Sequence, residues 1–178
     1  MRNLGSTAYV FESDALTMKA KYKVLDHPSI GKYVVATHHY SKAEIICVGK
    51  SRGNAPVRDN YSLQIHDRKH VYLDEPAQLI SHSCEPNLYI ADNDFGGYNF
   101  YAARKIEPGE TLSFHYGMSE AKSISVSTCC CGSDTCLGKS IGFKDLMPHQ
   151  QDYLYRLGVA SYLREWYERR NPELSLAR

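Results

Sequence analysis

Four of the six cysteines in this 178-residue chain have the spacing of a metal site. Cys84 lies in Ser81-His82-Ser83-Cys84-Glu85-Pro86-Asn87, and Cys129, Cys131 and Cys136 form a C-x-C-x4-C group far downstream. Structural zinc takes four tetrahedral thiolates at about 2.3 Å. Cys129 and Cys131 reach one ion from a tight loop, Gly132-Ser133-Asp134 supplies a bend, and Cys136 returns to it. Three local thiols leave a fourth position, which Cys84 fills. Neighbouring side chains point apart, which favours the C-x-C pair, although Cys130 could replace either neighbour. Four free buried thiols are the plain alternative. Cys47, in an apolar run, reads as core. His66 and His70 are four apart but flank a turn instead of sharing a helical face, and read as surface residues.

The elements that must bring these thiols together are short strands. Tyr33–Thr37, Ile45–Gly49, Leu88–Ile90, Tyr98–Ala103 and Thr111–Phe114 are apolar or alternating runs, and Tyr61–His66, Asp67-Arg68-Lys69 and His70–Leu73 predict a hairpin. Pro108-Gly109 predicts a type II turn. Beyond the cysteines the period changes. Val159, Tyr162, Leu163 and Trp166 fall at i, i+3, i+4 and i+7, the apolar face of a carboxy-terminal helix. Pro148 suits a helix start, Gly158 a break, and Asn171-Pro172 a close. The chain reads as one mainly β domain with a helical tail.

Composition narrows the function by exclusion. Formal net charge is +1, with 43% hydrophobic and 23% charged residues, the values of an ordinary globular domain. Dispersed lysines and arginines argue against nucleic acid as a partner. No apolar run approaches the roughly 20 residues of a membrane span, and the start, MRNLGSTAYVFESD, lacks a signal-peptide core. An intracellular location follows, cytoplasmic or nuclear, where thiols stay reduced.

Four segments together resemble the SET-domain methyltransferases that carry a post-SET zinc motif. Gly31-Lys32-Tyr33-Val34-Val35-Ala36 is similar to that family's GxGxxA cofactor segment, and Ile80 to Asn87 to its (F/I)NHSCxPN segment. Lys105 to Gly117 is similar to IxxGEELTFDYG, and CCCGSDTCLG to CxCGxxxCxG. The resemblance runs from about Val24 to Gly142, in the order of the compact, single-domain type. It implies a SET-type β-clip of small curved sheets with a pseudoknot through the HSCxPN segment. The expected division is a SET domain over 20–118, a post-SET zinc segment over 119–143 and a helical tail over 144–178.

By the same resemblance the cofactor is S-adenosylmethionine, with one structural zinc. Gly31, Lys32, Tyr33, Ser81, His82, Tyr116 and Leu137 are the expected cofactor residues. The acceptor is a lysine ε-amine of a protein or peptide, a histone being the family's usual case. Methyl transfer from a sulfonium is an in-line displacement needing donor and neutral amine about 3–3.5 Å apart. Tyr116 is the expected principal catalytic side chain. Phe114, two residues earlier on the same strand face, occupies the position that sets methylation multiplicity. Tyr61, Tyr98 and Tyr101 are candidate walls of the acceptor channel. Burial and the cofactor's positive charge lower the lysine pKa, so no dedicated base is required, in keeping with the lack of an obvious Glu/His pair.

Three positions depart from the family pattern. Ser81 stands for asparagine, which costs one hydrogen bond, about 0.5–1.5 kcal/mol. Tyr33 replaces the second glycine of GxG. His115 replaces an acidic residue and is expected to face outward. Two other functions compete: a small-molecule methyltransferase with a closed acceptor site, and a non-catalytic zinc-stabilised interaction module. The oligomeric state is open, since the Val159/Trp166 face could pack on its own domain or on a second copy.

Overall fold

The structure, a computed structural model, describes residues 21–28 and 31–176. The amino-terminal stretch read for a signal peptide lies outside the described residues, as do residue 20 and the last two of the tail. None of the described helices is long and apolar enough to cross a membrane.

Short strands bounded by turn residues close into small sheets, four among the described residues. Strands β1 (Tyr22–His27) and β2 (Gly31–Ala36) form an antiparallel hairpin with Val24 opposite Val34. Next come β3 (Ile45–Gly49), β4 (Ser51–Asn54), β5 (Leu63–His66) and β6 (Lys69–Leu73). Later in the chain lie β7 (Ser81–His82), β8 (Leu88–Asp92), β9 (Tyr98–Ala102) and β10 (Ser113–Phe114). One three-stranded sheet has the order β3-β9-β8 and the other β4-β6-β5, the latter containing the expected hairpin. The two-residue strands β7 and β10 pair in parallel across a long stretch of sequence.

The expected strands are present with slightly shifted ends. Three others, β1, β4 and the two-residue β7, had no readable period. β1 has only half-buried and exposed positions, and β4, Ser-Arg-Gly-Asn, is exposed along most of its length, so its partner β6 defines it rather than its own apolar pattern. In β9 the alternation is complete. Tyr98, Phe100 and Ala102 are buried, and Phe100 meets Phe114 of β10 edge to face at 5.3 Å. Each such ring buried contributes about 1.5–3 kcal/mol of transfer free energy.

The helical tail is broken where a glycine is required. Helix α1 (Pro148–Leu157) starts with proline at its first position, and Gly158 ends it at φ 150°, where a Cβ would meet Tyr89 Cδ2 at 2.7 Å and the Ile90 carbonyl at 2.9 Å. Helix α2 (Ser161–Glu168) follows, so Val159 belongs to the joint and not to the expected face. Tyr162 and Leu163 of α2 are buried against the domain itself, the Tyr162 hydroxyl donating to the Ser119 carbonyl at 2.7 Å, while Trp166 sits edge-on to Phe143 at 6.2 Å.

Candidate active site

Cys84, Cys129, Cys131 and Cys136 converge, with all four sulfurs within 4.8 Å of one another. Ideal tetrahedral thiolates on a metal at about 2.3 Å lie about 3.8 Å apart, so little adjustment brings them onto one ion. Backbone amides already face the sulfurs: Leu137 N–H donates to Cys84 Sγ at 3.3 Å and Gly138 N–H to Cys136 Sγ at 3.4 Å. Such bonds stabilise thiolate over thiol. Burial raises the Cys131 thiol, but hydrogen bonds from the Cys84 and Ser133 backbones and from the Cys129 and Cys136 thiols outweigh it and push it down to about 6. These residues fit a metal. Cys130 is exposed and outside the cluster, and Cys47, with its thiol pushed up to about 12 by burial, packs against the core as expected.

The segment bearing Cys84 is held between the chain on either side of the Pro108-Gly109 turn. That turn has Gly109 at φ 95° and Glu110 N–H bonded back to the Glu107 carbonyl, the geometry expected of type II. Buried Asn87 donates to the Thr111 carbonyl at 2.9 Å and accepts from Ser113 N–H at 2.9 Å. Its own carbonyl accepts from Ala103 N–H at 2.8 Å. Ser83 N–H donates to the Phe114 carbonyl at 3.1 Å. One asparagine therefore ties the HSCxPN segment to both strands of the following unit.

Tyr116 follows directly. Its N–H donates to His82 Nδ1 at 3.2 Å and its hydroxyl to the Ile80 carbonyl at 3.3 Å. Its ring lies 5.0 Å from that of Phe114 and 5.1 Å from that of His82. Burial first, then the nearby Glu120 and Tyr61, push its hydroxyl up to about 12, so it is a neutral donor at neutral pH. A cavity of about 560 Å³ lies against it, lined by Lys32, Ser81, His82, Arg104 and the Cys129–Cys131 loop among others. That volume is in the range of small-molecule sites, about 300–1,000 Å³. A void of about 20 Å³, lined by Ile80, Phe114, Tyr116 and Glu120, continues inward. Tyr116 lines both.

Of the expected cofactor residues, Lys32, Ser81, His82 and Tyr116 line this large cavity. Gly31 and Tyr33 lie nearby on β2 but do not line it, and Gly31 adopts φ 72° at the strand start. Leu137 faces a second cavity of about 350 Å³ with His115 and Tyr153, which meets the first at Glu85. Among the channel tyrosines, Tyr61 lines the large cavity and is 60% exposed. Tyr98 is corrected by the structure. It is 0% exposed in the core, its hydroxyl bonded to the Gln64 carbonyl, because its strand position faces inward between two sheets. Tyr101 is corrected too: it points to the other face of β9 and stacks on Tyr89 at 5.2 Å.

Two histidines also differ from expectation. His115 is 3% exposed rather than outward-facing, because its Nδ1 turns back to accept from Gly117 N–H at 3.0 Å. Burial, and then His82, push its pKa down to about 3. His70 is half-buried and not a free surface residue, since β6 places it 3.9 Å from Glu120. Glu120 itself was missed. It stands in Met118-Ser119-Glu120-Ala121-Lys122, which has neither motif nor period.

Residues 31–117, the span that carries the parallel β7/β10 pair and Tyr116, match the family model described as SET domain. The chain contains a SET domain. Curated relatives are similar over parts of their lengths. "Histone-lysine N-methyltransferase ATXR3" of Arabidopsis thaliana is 34% identical over 52% of this chain and 4% of its own. "Probable histone-lysine N-methyltransferase set-23" of Caenorhabditis briggsae is 27% identical over 67% of this chain and 60% of its own. "Histone-lysine N-methyltransferase, H3 lysine-36 specific" of Eremothecium gossypii is 32% identical over 53% of this chain and 15% of its own. The chain thus spans less than two thirds of each of these relatives.

Solved structures agree on the SET fold. KRYPTONITE, in complex with mCHG DNA and SAH, has a TM-score of 0.53 at 23% identity, over 66% of this chain and 28% of that one. The methyltransferase domain of human SETMAR has a TM-score of 0.51 at 17% identity, over 68% of this chain and 58% of that one. The mainly β architecture with a helical tail is therefore that of SET-domain methyltransferases.

Proposed function

We propose that this SET domain is an S-adenosylmethionine-dependent methyltransferase acting on a lysine ε-amine of a protein or peptide. The observation that carries the reading is Tyr116, whose side chain stands at the junction of a cofactor-sized cavity and a narrow inner void. The histone-directed relatives support a histone substrate and a nuclear location. The cysteine cluster would hold one structural zinc as part of a post-SET segment over 119–143, after a SET domain over 20–118 and before a tail over 144–178.

The bound cofactor supplies an electrophilic methyl on a sulfonium. Lys32, Ser81 and His82 would bind it in the large cavity, with Leu137 lining the adjoining cavity that meets it at Glu85. Tyr116 holds the amine in line, its neutral hydroxyl anchored on the Ile80 carbonyl, and Phe114 walls the void without a polar group of its own. Both rings exclude water from the reacting centre. With phenylalanine at this position there is room for di- or trimethylation.

The exposed Tyr61 at the cavity edge favours an acceptor carried on a chain over a closed small-molecule site. The test is incubation with labelled S-adenosylmethionine and a panel of core histones and small amines, read by mass spectrometry. Label on protein lysine is expected. Cofactor binding without label on any acceptor would sink the enzyme reading and leave the interaction module.

A further inference from the structure

The inner void has one charged wall. Glu120 is 3% exposed and lines that void with Phe114 and Tyr116, yet does not line the large cavity. Its Oε1 accepts from Gln64 N–H at 2.9 Å and its Oε2 from Arg58 Nη2, which also bonds the Lys122 carbonyl. A carboxylate offers about four acceptor sites, so these two donors leave capacity for another. His70 Nε2 lies 3.9 Å from Glu120 Oε2, buried and without a hydrogen-bond partner among the described residues, while part of the side chain reaches solvent. The strands therefore assemble a buried Glu/His pair beside the acceptor void, from residues 50 positions apart in the chain.

Resting on the methyltransferase reading above, we propose that Glu120 is a further catalytic residue, the proton acceptor for the incoming amine, and that His70 passes the proton outward. The ammonium N–H bond breaks with its electron pair left on nitrogen, and an O–H bond forms on Glu120. The proton then moves to His70 Nε2 and from the ring to bulk water. The neutral amine faces the methyl with its lone pair free. Burial raises the Glu120 pKa and lowers that of His70, the directions a relay between a basic amine and water requires. The charged and titratable groups around Glu120 are Arg58, His70, Tyr98, Tyr116 and Tyr162, and Arg58 also faces His70. Burial holds the three tyrosines above their ordinary pKa, so none competes as a base near neutral pH.

The experiment compares wild type, Glu120→Gln and His70→Gln in kcat/KM against pH. The acceptor is whichever of the core histones or this chain's own lysines takes label in the wild type. Glu120→Gln should lose on the order of 100-fold near pH 7. The deficit should narrow as pH rises towards about 10, where the amine sheds its proton unaided. His70→Gln should show a smaller deficit with the same slope, and it carries the test if Glu120→Gln does not fold. Cofactor affinity should stay unchanged in both. A loss of equal size at every pH, or no loss, overturns the assignment of Glu120 while leaving the methyltransferase reading standing. A folded wild type that labels neither acceptor overturns both.

Discussion

At the scale of single residues, the proposed chemistry concentrates at Tyr116 and its contacts. Tyr116→Phe removes one hydroxyl whose hydrogen bond among the described residues is the 3.3 Å contact to the Ile80 carbonyl. Stability should change by about 1 kcal/mol or less. Turnover should fall on the order of 100-fold through lost orientation of the amine. Folding by circular dichroism and transfer of labelled methyl separate the two effects. Ser81, which lines the large cavity, is shorter than the asparagine the family pattern places there. Ser81→Asn should therefore tighten S-adenosylmethionine binding a few-fold to tenfold, worth about 0.5–1.5 kcal/mol. Calorimetry reads it, and weaker binding would show that the site has adapted to serine. His115 carries a pH signature. Its folded pKa is depressed below the ordinary value near 6.5, so the unfolded state takes up the proton first. The stability it contributes is whole above about pH 6.5 and drains away as pH falls towards 3. At pH 5 the wild type should lose more stability, relative to pH 7, than His115→Asn does in denaturant titrations. Parallel losses would remove His115 from the acid response.

At the scale of elements, the parallel pairing of β7 with β10 is only two residues long and cannot hold itself. Asn87 does much of that work, joining the segment after β7 to Thr111 and Ser113. Asn87→Ala would leave the part-buried Thr111 carbonyl and the buried Ser113 amide without these bonds. The expected cost is about 2–4 kcal/mol, measured by urea unfolding, and a cost within error of zero would mean that water replaces both bonds. Strand existence was legible where apolar residues alternate, as in β9, and illegible in β4, where no side chain needs burial. The broken tail was legible in part. Pro148 and Gly158 mark its joints, but Val159 fell in the joint because Gly158, at φ 150° and ψ 124°, turns the chain out of the helix just before it.

At the scale of the whole molecule, the four thiols join two remote parts of the chain, and Leu137 N–H reaches across to Cys84. If these thiols hold the proposed zinc, removing it should loosen the 129–138 loop and reduce cofactor affinity and activity together. Chelation followed by zinc back-titration tests this, with activity returning at one equivalent. Full cofactor affinity in a metal-free sample would contradict it.

Local chemistry was enough to pick out the four cysteines that converge, the turn at Pro108-Gly109 and the SET family, because adjacent residues set loop spacing and backbone preference by themselves. Which tyrosine faces a cavity depends on strand partners that local sequence does not contain. Tyr61 and Tyr98 look alike as strand residues, yet one stands in solvent at a cavity edge and the other is sealed between sheets. Glu120, His70 and Arg58 show the same limit more sharply. Each is an unremarkable polar residue in its own segment, and only the packing of β5 and β6 against the chain after Tyr116 shuts a charge away from water and gives it a task.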